Sequence, residues 1–249
     1  MRSAIRVFFT AIQFLTRLPV PAGDFHPEDL AKSLVFFPVV GLLLAAGGVL
    51  LHSVLGTHLG NAVVVLIILV YLVLLTGGLH EDALADAADG FGGGWDKEQI
   101  LTIMRDSRIG SYGAIAIAFS LLGRFVLLTK LPPTKFVAYF VAGQVLSRWT
   151  PLPLSFFLLP ARADSGQGSR VARKVSWLSL IIGTILALGI ASLFLHGAVW
   201  SAGSVAVLVT ATAGFYYQRR LGGITGDCLG ATIQLAEIGV YLTGVVVHG

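Results

Sequence analysis

Three aspartates at a regular spacing are the first residues in this sequence whose types could support catalysis. Asp82, Asp86 and Asp89 stand at i, i+4 and i+7. At about 100° per residue they spread over only about 60° of a helix, so one helix face would carry all three carboxylates. Like charges at this spacing repel each other, and a divalent cation removes that repulsion. Carboxylate oxygens with room for water and substrate phosphates suit Mg²⁺, so the pattern predicts a Mg²⁺ site.

The stretch around these aspartates is unusually acidic. Residues 77–113 hold seven of the thirteen Asp and Glu residues of the chain. Ala, Gly and Leu fill most positions between the three carboxylates, and small neighbours let a ligand approach the helix. A solvated acidic helix face at a membrane border is the alternative interpretation. His80 precedes the run, but on a continuous helix it points about 160° away from Asp82, so we expect at most a supporting role for it.

Two arginines follow the acidic stretch and could bind phosphate. Arg105 and Arg108 flank Asp106, and at this spacing they would lie on one side of a helix. Guanidinium groups present paired donors that match phosphate oxygens. We therefore take Arg105, Asp106 and Arg108 as candidate substrate-binding residues. The alternative is that the arginines contact lipid head groups or only set the topology.

A glycine-rich segment near the end of the chain is the third candidate. Residues 221–231 read LGGITGDCLGA and lead into an apolar run. Such a turn exposes backbone N–H groups, and a helix N-terminus favours anions. Thr225 and Gly226 are therefore candidate substrate-binding residues, and Asp227 could add a fourth carboxylate to the metal. Glu237 lies about three turns deeper, where an ionisable side chain suggests a function or a hydrogen bond between packed helices.

The elements that must position these residues follow from the composition. The 249 residues are 55% hydrophobic and 12% charged, and the mean hydropathy is +0.84. Soluble domains carry about 25% charged residues, so this composition indicates an integral membrane protein. The long apolar runs do not alternate with polar residues, which predicts helices rather than a barrel. The net charge of +4 reflects topology and not nucleic-acid binding. The single cysteine, Cys228, excludes an internal disulfide and fits a small buried residue.

The predicted fold is all-α: a single domain over residues 1–249 that forms a polytopic transmembrane bundle. Residues 1–17 carry a polar stripe on an apolar helix, which predicts an interfacial amphipathic helix with Phe and Ile in lipid; a cleaved signal peptide is the alternative. Residues 1–33 comprise this helix and a linker, and residues 34–249 form the bundle. Pro151 and Pro153 predict a kinked or interrupted fourth span. Seven spans are predicted: about 34–55, 62–79, 112–129, 136–158, 176–195, 199–217 and 230–247.

The basic residues predict the orientation. With a cytoplasmic N-terminus, the inner segments hold thirteen of the seventeen Lys and Arg residues and the outer segments hold two. By the positive-inside rule, the acidic loop 80–111 and the segment 218–229 then both face the cytoplasm. Carboxylates, Mg²⁺ and arginines at one membrane face make phosphoryl transfer the economical hypothesis, with an acceptor hydroxyl attacking a diphosphate.

Several motifs together resemble the cobalamin synthases, the adenosylcobinamide-GDP ribazoletransferases. The resemblance covers nearly the full chain, in order. The motifs are GGLHxDxLADxxDG at 77–90, RDSRIG at 105–110, YG at 112–113, GGxTGDxLGA at 222–231 with Glu237, FLTRLPVP at 14–21 and FPVVG at 37–41.

This resemblance implies a multi-pass enzyme of the cell inner membrane with a cytoplasmic active site. Such an enzyme joins adenosylcobinamide-GDP to α-ribazole, or to its 5′-phosphate, and releases GMP late in cobalamin biosynthesis. It requires Mg²⁺. The family motif carries over to Asp82, Asp86 and Asp89 as Mg²⁺ and diphosphate ligands, and these three with Asp227 are the catalytic candidates. The lipid bilayer is an expected partner, and homo-oligomerisation is left open.

Three residues depart from the pattern that we expect for this family. Glu81 replaces an apolar residue, Ala83 replaces Gly, and Gln234 stands where relatives often have Glu. The segment around 160–175 matches poorly, so a binding role for Arg162, Arg170 or Lys174 stays open. Two other functions compete with the transferase: a CDP-alcohol phosphotransferase, of whose pattern only Asp86-x-x-Asp89-Gly90 is present, and an ion-coupled transporter with carboxylates at mid-membrane.

Overall fold

Helices make up nearly all of the described residues, as a chain that must satisfy its backbone hydrogen bonds inside lipid requires. The computed structural model describes residues 2–21, 27–162 and 175–248. Short 3₁₀ turns lie at 34–36 and 196–198. The helices are α1 (Arg2–Leu15), α2 (Pro27–Ser33), α3 (Phe37–Leu55), α4 (Asn61–Thr76), α5 (Leu79–Gly93), α6 (Lys97–Ile103), α7 (Ser111–Lys130), α8 (Pro133–Trp149), α9 (Pro151–Phe157), α10 (Trp177–Leu195), α11 (Val199–Leu221) and α12 (Gly226–His248).

The predicted helical membrane bundle is confirmed, and a helix occupies each of the seven predicted span positions. Four helical segments are long and apolar enough to cross a membrane, and a fifth qualifies if α4 and α5 form one broken span. One of the four is Trp177–Leu221, whose 45 residues would reach about 68 Å as one straight helix. Instead the chain reverses near His196. The contact between Gly203 of α11 and Leu188 of α10 shows this reversal. The segment is therefore a helical hairpin, and the span count stays a prediction.

The fourth predicted span is interrupted where the prolines predict it. Helix α8 ends at Trp149 and α9 begins at Pro151. Pro151 has no N–H to donate to the carbonyl of Ser147, and the hydroxyl of Thr150 donates to that oxygen instead, at 2.7 Å. The interruption thus leaves the freed carbonyl satisfied inside the bundle.

Helix α12 lies at the centre of the bundle and packs against α5, α7, α8 and α11. Small residues permit the closest of these crossings: a Cβ atom at Gly230 would collide with the Cβ atom of Ala83 on α5. The main apolar core surrounds this helix and includes Ile68, Phe140 and Tyr241, all fully buried. The glycine-rich composition therefore serves close helix contact, as expected in lipid.

The N-terminal helix α1 is present, but its apolar face is not simply immersed in lipid. Ala11, Ile12 and Leu15 are buried in a small core that α2, α3 and α9 complete. Arg6 pairs with the buried carboxylate of Asp29 at 2.8 Å. The prediction that Phe and Ile of this helix contact lipid is therefore wrong for Ile12, because the helix buries part of its apolar stripe against protein.

The acidic helix is set at an angle by two glycines. Gly77 and Gly78 have φ angles of 69° and 71°, in the left-handed region that residues with a Cβ atom rarely adopt. The chain bends by 85° between α4 and α5 at this point. We assign α4 alone to the membrane span, because α5 turns away from its direction and carries the three aspartates. The two glycines thus convert a span into a helix that lies across the end of the bundle.

Candidate active site

A cleft of about 280 Å³ forms where α5, the start of α12 and the segment 159–162, which follows α9, meet. Helix α5 reaches it through the bend at the two glycines, and the crossing of Ala83 over Gly230 holds α5 against α12. Four predicted site residues line this cleft, which brings together parts of the chain that lie some 140 residues apart. They are Asp82, Thr225, Gly226 and Asp227.

The carboxylate of Asp86 belongs to the same electrostatic group. Burial raises the pKa of Asp86 to about 6, and the nearby carboxylates of Asp82, Asp227 and Asp89 add to the increase. Each of these neighbours disfavours a further negative charge at Asp86. Asp82 is exposed, whereas Asp86 and Asp227 are half-buried. The cleft therefore has one wall on which negative charge is concentrated and still accessible.

Asp89 is on the predicted helix face but has a different partner. Its two carboxylate oxygens accept hydrogen bonds from the backbone N–H groups of Gly110, at 2.7 Å, and Gly113, at 2.9 Å. These donors lie at the N-terminus of α7, whose own cap residue is a glycine without a side chain. Asp89 thus caps α7 from another helix, where a negative charge is favoured. Its role as a metal ligand stays a prediction.

The residues present fit a partly assembled Mg²⁺ site. Within residues 2–21, 27–162 and 175–248, no group of three or more His, Cys, Asp or Glu side chains is arranged to hold an ion on its own. Mg²⁺ is commonly bound through one or two carboxylates, with waters and substrate phosphates completing the shell. The carboxylates of Asp82 and Asp227 in the cleft, with that of Asp86 near both, are hard oxygen donors of this kind.

The glycine-rich segment is held in place by a short stretch of extended backbone. Ala161 donates its N–H to the carbonyl of Ile224, and Ile224 donates to the carbonyl of Leu159, each at 2.9 Å. The hydroxyl of Thr225 accepts from the N–H of Cys228 at 3.2 Å and so caps α12. Thr225 is therefore a helix cap that faces the cleft. Asp227 follows in the first turn of α12.

The arginine pair after the acidic helix is not brought to the cleft wall. Arg108 donates to the carboxylate of Asp106 at 2.6 Å, and its side chain is 88% exposed. This pairing holds the pKa of Asp106 at about 2. Arg105 is exposed and lies near Arg162, and its positive charge lowers the pKa of Arg162. Arg108 and Asp106 therefore form a surface pair beside the site.

Two cleft residues received little weight from the sequence. His80 is buried and lines the cleft beside Asp82, and its Nε2 atom has no hydrogen-bond partner in the described residues. Arg162 lines the same cleft, near Asp227. The sequence offered no periodic signal for Arg162, because it lies in an irregular segment. A helical projection gives His80 too little weight, because it shows only the positions on one helix and not the neighbouring elements that line the cleft with it.

The comparison with protein families decides the affiliation. The family model described as cobalamin-5-phosphate synthase matches residues 7–246. The chain belongs to this family. Two adenosylcobinamide-GDP ribazoletransferases, from Azorhizobium caulinodans and Ralstonia nicotianae, are each 40% identical over 96% of this chain and 94% of their own length. A third, from Polaromonas, is 36% identical over 96% and 95%. No solved structure matches the chain.

A buried ion network lies beneath the cleft in this member of the cobalamin-5-phosphate synthase family. Arg124 of α7 donates to Glu81 of α5 at 2.9 Å and lies 3.7 Å from Glu237 of α12. Glu237 lies 3.6 Å from Arg148 of α8. The hydroxyl of Tyr241 donates to Glu237 at 3.2 Å. The ionisable residue noticed within the last span therefore joins helices through charges, as the hydrogen-bonding alternative suggests.

Two of the departures from the cobalamin synthase pattern are in direct contact. The side-chain amide of Gln234 donates to the carboxylate of Glu81 at 2.9 Å, and it accepts from the hydroxyl of Ser120 at 3.0 Å. Glu81 thus provides the carboxylate that Arg124 needs, next to an amide at position 234. An acidic side chain is thus present beside position 234, but it comes from α5.

Proposed function

We propose that this protein is an adenosylcobinamide-GDP ribazoletransferase, a transferase of cobalamin biosynthesis. It would join adenosylcobinamide-GDP to α-ribazole, or to α-ribazole 5′-phosphate, and release GMP. The observation that carries this proposal is the cleft that Asp82 of α5 and Asp227 of α12 line together. The relatives from Azorhizobium caulinodans and Polaromonas are named adenosylcobinamide-GDP ribazoletransferases, which supports the same reaction.

The chemistry is an exchange at phosphorus. A ribose hydroxyl of α-ribazole forms a new oxygen–phosphorus bond, the bond between this phosphorus and the GMP oxygen breaks, and the hydroxyl proton passes to a base. Three carboxylates would hold Mg²⁺ and accept the proton: those of Asp82, Asp86 and Asp227. Mg²⁺ bound there would neutralise the diphosphate and polarise its phosphorus–oxygen bonds. The residues themselves orient the two substrates and keep the reacting groups at one end of the bundle.

The position of the acidic helix supports a transferase over an ion-coupled transporter. A transport site would place its carboxylates along a path at mid-membrane. Helix α5 instead turns away from α4 by 85°, and its Asp82 lines a cleft that also takes in the start of α12.

A turnover assay tests the function directly. The purified protein in detergent receives adenosylcobinamide-GDP, α-ribazole and Mg²⁺, with and without a chelator, and GMP and cobalamin are quantified. We expect equal amounts of GMP and cobalamin that disappear with the chelator. A folded protein that forms neither product under these conditions would refute the proposal. CDP-alcohol donors and ion flux in liposomes are then the assays for the two competing functions.

We further propose that the protein lies in the inner membrane with this cleft on the cytoplasmic side. Trp95 follows α5 and is 91% exposed, whereas the single cysteine, Cys228, is buried. A Trp95→Cys variant therefore presents one accessible thiol. We expect a membrane-impermeant maleimide to label it only after the inner membrane is permeabilised. Labelling in intact spheroplasts would reverse the topology.

A further inference from the structure

The segment 159–162, which follows α9, brings an arginine into the cleft. Pairing between Leu159, Ala161 and Ile224 fixes the backbone of this segment against the start of α12. Arg162 follows immediately and lines the cleft together with Asp82 and Asp227. Its position is set by backbone hydrogen bonds on one side and by α6 on the other. The arginine is therefore part of the cleft wall and not a surface residue that happens to lie nearby.

The guanidinium of Arg162 is held at one end only. One of its terminal nitrogens, Nη2, donates to the carbonyl of Leu101 at the end of α6. Its Nε atom is buried and has no hydrogen-bond partner within the described parts of the chain. Buried donors without an acceptor are rare in native proteins, and each calls for an explanation such as a ligand. A guanidinium presents donors in a fixed planar fork, so an acceptor at Nε can also contact a terminal nitrogen.

The charges around Arg162 suit a bound anion. Burial lowers the pKa of Arg162 and the nearby positive charge of Arg105 lowers it further, whereas the carboxylate of Asp227 raises it. The cleft is thus lined by one arginine, Arg162, with the charge of Arg105 nearby, and by the carboxylates of Asp82 and Asp227, which can hold Mg²⁺. A diphosphate is the group that meets both requirements, since it binds a divalent cation and guanidinium groups at the same time.

We propose that Arg162 binds the diphosphate of the nucleotide-bearing substrate in the cleft that Asp82 and Asp227 also line. The inference rests on the proposed function and specifies which arginine binds the phosphates. Nε and a terminal nitrogen of Arg162 donate to phosphate oxygens, which gives the buried Nε an acceptor. The opposing explanation is that Arg162 only ties its segment to α6 through Leu101. The two roles differ in which substrate they affect.

The test compares Arg162→Gln and Arg162→Lys with the unchanged protein. The variants are assayed for the KM of each substrate, for equilibrium binding of GDP with Mg²⁺ and for binding of guanosine, which has no phosphate. Loss of a charge-assisted contact should weaken GDP binding, and raise the KM for adenosylcobinamide-GDP, about 10- to 100-fold in R162Q. The KM for α-ribazole and guanosine binding should change less than about twofold. R162K should be intermediate, because an ammonium lacks the planar fork.

The control is Arg219→Gln, which removes an exposed arginine on the last turn of α11. We expect this variant to bind GDP as the unchanged protein does. R162Q with unaltered GDP affinity would overturn the inference, and so would an equal rise of both KM values with a lower thermal midpoint. GDP binding needs no turnover. A protein that forms no cobalamin but loses GDP binding in R162Q would therefore refute the proposed function and uphold the inference.

Discussion

Exchanging Glu81 and Gln234 should move a buried carboxylate from α5 to α12 without changing the charge of the ion network. Arg124 and Gln234 both donate to the same oxygen of Glu81, each at 2.9 Å. The nitrogen atoms of both side chains therefore surround one carboxylate oxygen. We therefore expect a carboxylate at position 234 to replace the one at position 81 as the partner of Arg124. The double variant Glu81→Gln/Gln234→Glu keeps two acids and two arginines in the network.

The single variants should be much less stable than the double variant. Removing one partner of a buried ion pair costs about 3–5 kcal/mol. For Glu81→Gln we expect about 3 kcal/mol, because Arg124 keeps Glu237 at 3.7 Å. Gln234→Glu places a second acid against Glu81 and should cost about 2–3 kcal/mol. The double variant should lie within about 1 kcal/mol of the unchanged protein, so that the two substitutions compensate each other.

The assay is a denaturant titration in mixed detergent micelles that gives the free energy of unfolding of all four proteins. Gln218→Glu serves as the matched control, since this glutamine is exposed on α11 and outside the network; it should stay within about 0.5 kcal/mol. If the double variant loses as much stability as the two single variants combined, Glu81 and position 234 do not share one arginine. The account of the network given above would then be refuted.

Three further substitutions test the site and its supports. Asp82→Asn should abolish turnover while the thermal midpoint changes little, because Asp82 is exposed in the cleft; normal turnover would remove it from the site. Asp89→Ala should lower the free energy of unfolding by about 1–2 kcal/mol, because Gly110 and Gly113 lose their acceptor, and an unchanged denaturation curve would contradict the capping role. Gly78→Ala should cost about 1–2 kcal/mol from its left-handed backbone alone, since a Cβ atom there meets no neighbour; Gly78→Asn, which tolerates that conformation better, should cost less in the same titration.

The sequence predicts the membrane bundle well because the relevant signals are local. Apolar run length and the proline pair at 151 and 153 depend on neighbouring residues only. The acidic helix is likewise local, whereas the bend at Gly77 and Gly78 was not predicted, because both glycines lie within the predicted span 62–79. The local features could therefore be read without knowledge of the packing.

The parts of the site that could not be predicted depend on contacts between distant segments. Asp89 shares a helix face with Asp82, yet the glycine at the start of α7 determines its partner. Glu81 appeared only as an unexpected charge until Arg124 and Gln234 were found beside it. Arg162 lies in a segment without periodicity, so its position in the cleft follows from backbone pairing with Ile224 alone.

The balance of charges in the buried network has a consequence for a membrane that is energised. Moving one elementary charge through the membrane voltage changes its energy by about 2.3 kcal/mol per 100 mV. Glu81, Arg124, Glu237 and Arg148 sum to zero when all four are ionised, so the electric field exerts no net force on this part of the bundle. The voltage therefore does not favour displacement of these four side chains as a group towards either side of the membrane. A variant with an odd charge in the network would respond to the voltage.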